Sequence, residues 1–102
     1  MHVTSTDEII FSSGLRAARE GRYQDAFDMW KPLAEAGHQQ AQRNVGYLMY
    51  LGLGVNRDPA KAASWLARAD KAPNDDPVAV FRTIDRLAAA GTRPSAVFAR
   101  AF

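Results

Sequence analysis

Two stretches of the chain repeat one pattern of small and large residues. Twelve residues after Gly14 stands Ala26, with Trp30 four further on and Leu33 three beyond that. Sixteen residues after Gly46 stands Ala62, followed at the same steps of four and three by Leu66 and Ala69. Such steps place side chains on one helix face, so each copy reads as two helices, the glycine of one admitting the other closely. The alanine on the second helix is expected to complete that contact. A unit this short cannot bury its apolar face alone, so its copies must stack. Extending the register puts Ile84 at a third glycine position, with Val80 and Leu87 toward the core, a degenerate third copy of the kind that ends a stack.

Punctuation residues divide the 102-residue chain accordingly. Ser5 and Glu8 have the spacing of a capping box and open a first helix that stops at Gly21. A second helix spans Tyr23 to Ala36, with Phe27, Trp30, Leu33 and Ala34 inward; Pro32 kinks or splits it. A third covers Gln39 to Leu51 through Ala41, Val45, Leu48 and Met49. Asp58 before Pro59 is an N-cap followed by proline at the first helical position, and the helix it opens runs to about Ala72 through Ala62, Trp65, Leu66 and Ala69. Asp76 and Pro77 repeat this start for a fifth helix reaching about Ala90, and Pro94 begins a short sixth. The expected fold is all-α: antiparallel helix pairs stacked in one domain over residues 1–102. The first pair is 6–36, the second 39–72, and capping helices occupy 77–102.

The second unit, AEAGHQQAQRNVGYLMYLGLGVNRDPAKAASWLARAD, resembles the Sel-one-like repeat, a relative of the tetratricopeptide repeat with a longer loop between its helices. Leu33, Ala34, Gly37, Ala41, Gln42, Gly46, Tyr50, Gly52, Gly54, Val55, Asp58, Ala62, Trp65 and Ala69 carry the likeness. The first unit resembles the tetratricopeptide repeat more generally, and the likeness covers residues 14–72. Asp70 departs from it, standing where the family tends to have a second alanine. The resemblance implies a short right-handed α-solenoid that holds other proteins together; many bacterial members are adaptors in signalling, envelope or secretion pathways.

Composition sets the remaining bounds. The net charge of +2 is spread along the chain, without the basic stripe of a nucleic-acid binder. Cysteine is absent, which removes disulfides, thiol nucleophiles and cysteine-rich zinc sites. MHVTSTDEIIFSS has acids where a secretory leader needs bases, and no run nears the roughly 20 apolar residues of a membrane span. The expectation is a soluble, cytoplasmic protein without membrane insertion.

Chemistry finds little footing. LGLGVNRDP has two glycines, but Val55 follows Gly54 where a phosphate loop needs lysine, and Arg57 stands where a dinucleotide fingerprint needs its third glycine. The reading is a turn in which the glycines take positive φ, Val55 fills the gap between helices and Asp58 caps the next one. His2 and His38, the two histidines, belong to no ligand cluster at metal spacing. Asp75 and Asp76 read as a cap, and no serine has a nucleophile's context. No catalysis and no cofactor are expected.

The first helix of each pair would line the concave face in this repeat class. Arg43, Tyr47 and Tyr50 share a strip of the third helix, extended by Phe11, Leu15 and Arg19 and by Phe81 and Asp85 of the fifth helix. Tyrosine and arginine favour interfaces, so this strip is the candidate site for a peptide or helix of another protein. The alternative packs Tyr50 inside and leaves Tyr47 partly exposed. Trp30 and Trp65 are assigned to matching repeat positions in the core. At the C-terminus, Val97, Phe98 and Phe102 either fold back on the fifth helix or join a second copy, giving a self-associating structural element through the C-terminal helices.

Overall fold

The computed structural model describes residues 6–69 together with Arg86, Ala89 and Gly91. Four helices follow one another, α1 (Thr6–Arg19), α2 (Tyr23–Glu35), α3 (Gln39–Leu51) and α4 (Pro59–Ala69), with no strand among the described residues. Each packs on its successor: α1 on α2, α2 on α3, α3 on α4. Arg86 and Ala89 are helical, and Gly91 has a φ of 85°. Ser5, residues 70–72, the Asp76 cap, Phe81, Asp85, the third-copy residues Val80, Ile84 and Leu87, and the C-terminal segment 94–102 lie outside the described residues.

Glycines end the helices where the sequence puts them. After α1 the Gly21 amide donates to the Ala18 carbonyl and the Arg22 amide to Ala17; after α2 the Gly37 amide donates to Ala34 and His38 to Leu33. This paired pattern closes a helix through one left-handed residue, and Gly21 and Gly37 have φ of 81° and 102°. Pro32 neither splits α2 nor ends it, for the helix runs on to Glu35 with Pro32 on its exposed side. At the start of α2, Arg22 makes no side-chain cap. Its guanidinium instead pairs with Glu20 at 2.7 Å and Asp25 at 3.0 Å. These hydrogen bonds, to Glu20 first and Asp25 second, raise the Arg22 pKa above its ordinary value.

The core forms along the faces turned between helices. Gly14 lies under the Trp30 indole, where any β-carbon would overlap the ring, and Trp30 Nε1 donates to the Phe11 carbonyl at 3.1 Å. Gly46 meets Leu66 and the Ala62 backbone in the same way, a β-carbon there standing 3.0 Å from Leu66 Cγ. One glycine contact thus recurs 32 residues apart, with two adjustments to the sequence reading. What fills the space over Gly14 is Trp30, not Ala26. Trp30 and Trp65 do not match, because Leu66 holds Trp30's place and Trp65 is its neighbour. Both tryptophans are buried as expected. Trp65 lies at the margin, with the Arg68 guanidinium 4.3 Å from its ring.

The α3–α4 connection is fastened along its length. Gly52 turns left-handed at φ 70°, Leu53 donates to Leu48 at 3.0 Å, and the Asp58 amide donates to Met49 at 2.8 Å. Asp58 Oδ1 accepts from the Lys61 amide at 3.0 Å, the N-cap bond that its place before Pro59 implies. Val55 packs against the core cluster.

Candidate functional site

α3 is the most enclosed helix described, buried from Ala41 to Tyr50 except at half-buried Arg43. Its first turn makes the contacts that set its place. Gln42, itself buried, donates through Nε2 to the Ala34 carbonyl near the end of α2 at 3.0 Å. Gln39 Nε2 donates at the same distance to the Ala69 carbonyl of α4. The first turn of α3 thus reaches both neighbours, the Ala34 carbonyl, which also accepts the Gly37 amide, and the Ala69 carbonyl.

His38 stands at the joint. Its Nδ1 accepts the Ala41 amide at 3.1 Å and caps α3, while its ring stacks on Phe11 of α1 with centroids 5.0 Å apart and planes at 28°. Beside it Gly37, Gln39, Gln40 and Arg43 line an open depression of about 660 Å³.

The structure divides the sequence-derived strip. Arg43 is half-buried, Leu15 is half-buried and Arg19 is exposed. Phe11 is buried against Trp30 and His38. Tyr47 and Tyr50 keep only 9 % and 8 % of their surface, so Tyr47 is not the partly exposed member. Tyr50 is bound up with the α3–α4 loop: its carbonyl accepts Arg57 Nε at 2.9 Å and its ring lies 5.2 Å from the Arg57 guanidinium. That contact places a cation at the C-terminal end of α3, where the helix dipole favours it. Phe81 and Asp85 lie outside the described residues.

Sequence reasoning missed Asn44. It is fully buried, and among the described residues neither Oδ1 nor Nδ2 has a hydrogen-bond partner. A buried carboxamide without partners costs on the order of 1–3 kcal/mol, so it is the least expected residue of this core. A polar residue one step from a valine on an inward face is the only signal the sequence offers. No group of three or more histidine or acidic side chains among the described residues could hold a metal ion.

Comparison with protein-family models, with curated proteins and with solved structures found no match. Among the described residues no helix is long and apolar enough to cross a membrane.

Proposed function

We propose that this chain is a short tetratricopeptide-like α-solenoid of the Sel-one-like kind, working without catalysis as a cytoplasmic adaptor that binds a peptide or helix of another protein. The observation that carries the reading is the glycine contact made twice, Gly14 under Trp30 and Gly46 under Leu66, 32 residues apart. A repeated helix pair is a means of building surface, and preformed surface lowers the ordering cost of binding.

The same offset adds support from the outside of α1. Ile9, Ser12, Ser13 and Arg16 are exposed, whereas their counterparts Ala41, Asn44, Val45 and Leu48 are fully buried. α1 thus turns a mostly polar face to solvent where α3 turns an interior one inward, which is what stacking asks of an outer helix.

The accessible members of the strip, Arg43, Leu15 and Arg19, are the ones proposed to touch the partner, and buried Phe11, Tyr47 and Tyr50 hold the shape behind them. The test is capture of partners on the immobilised chain, repeated with the double variant Arg19→Ala, Arg43→Ala. A partner lost from the variant while its melting temperature stays within about 2 °C of the parent supports the reading. Equal capture by both removes this face from consideration.

A further inference from the structure

His38 joins two helices through bonds that respond differently to a proton. Nδ1 accepts from the Ala41 amide, which requires a lone pair there, so the cap needs a ring with its proton on Nε2 alone. Stacking on Phe11 makes no such demand, since an aromatic face accepts a neutral or a cationic ring. We propose that His38 is a proton-operated latch at the α1–α3 joint, closed while its imidazole is neutral and released on acidification.

Three features set the direction. A proton on Nδ1 turns the acceptor into a donor facing the Ala41 N–H, and the cap is lost. The resulting cation sits at a helix N-terminus, where the free amides already present positive charge. The first turn of α3 contains no acid to offset it.

Charged residues stand on each of the described elements that meet at the joint. Arg43 of α3, which has interactions of its own, lines the same depression. Glu8 of α1 stands one turn before Phe11 and Glu35 in the last turn of α2; both are exposed, so any pull on a cation there is screened. Release at His38 also frees the turn from which Gln39 and Gln42 reach α4 and α2. Acid therefore loosens the α3 start and its holds on those two helices.

The experiment compares thermal melts of the full chain at pH 8 and pH 5 with those of His38→Asn, a residue that caps helices in either condition. His2 is common to both and cancels. The parent is expected to lose about 4–8 °C more than the variant on acidification, the shift that corresponds to one cap in a domain of this size. In parallel, the Ala41 amide resonance of the parent is followed over the same pH range, a readout that does not depend on the variant folding. It is expected to move with the His38 ring signals. Equal losses in parent and variant, or an Ala41 amide that stays still while the ring titrates, would overturn the latch.

Discussion

Gly54 rests on the start of α2 so closely that a β-carbon added there would stand 2.5 Å from the Gln24 amide nitrogen. Its φ of 72° is also one that side chains disfavour. The α3–α4 loop is therefore packed against α2 as well as turned between its own helices. Its second glycine serves closeness as much as conformation.

Gly54→Ala should cost about 2–4 kcal/mol, the sum of left-handed strain and displaced backbone. Gly21→Ala is the control: its φ is 81°, but nothing lies within 4 Å of the added carbon. It should cost only about 1 kcal/mol. Denaturant melts of both variants measure the difference, and equal losses would mean that the loop does not press on α2.

Asn44→Leu should raise stability by about 1–2 kcal/mol, because it replaces an unpartnered buried carboxamide by an apolar side chain of similar size. Asn44→Asp should lower it by more than 2 kcal/mol by burying a charge. Urea midpoints of the three proteins decide, and a destabilised leucine variant would show that Asn44 has a hydrogen-bonding partner in solution.

Gln42→Ala should cost about 1–2 kcal/mol, since it removes one of two hydrogen bonds to the Ala34 carbonyl, which keeps the Gly37 amide, and opens a small cavity. Gln39→Ala, at an exposed position, should cost less than about 1 kcal/mol. Chemical denaturation gives both numbers, and reversed ranks would contradict the burial at these sites.

Gly14→Ala should be among the most damaging small substitutions, at roughly 3 kcal/mol or more, because the added methyl overlaps the Trp30 ring. Trp30 must tilt to admit it and would strain its bond to the Phe11 carbonyl. Tryptophan fluorescence should therefore shift even under conditions where the variant stays folded.

Much of the fold was legible because its signals are local. Gly21, Gly37 and Gly52 close helices at the expected places, Asp58 caps the expected one, and α3 has the bounds that its stripe of apolar residues implied. Contacts across the chain were not legible. An imidazole is an uncommon cap, so nothing at His38 distinguished it from a turn residue. Nothing in the sequence tells which carbonyls Gln39 and Gln42 reach, because α2 and α4 supply them only in the fold. The division of the candidate strip has the same cause: three-residue spacing does put Arg43, Tyr47 and Tyr50 on one side of α3. Only the path of the loop reveals that Arg57 already occupies Tyr50.

The two glutamine bonds to Ala34 and Ala69 leave from a single turn. Fraying of that turn loosens the α3 start together with its holds on α2 and α4, so amide exchange should register the three places as one cooperative opening unit with a shared free energy. Residues far apart in sequence, near 35, 39 and 69, would then lose protection in step, and the molecule would breathe from its middle helix outward.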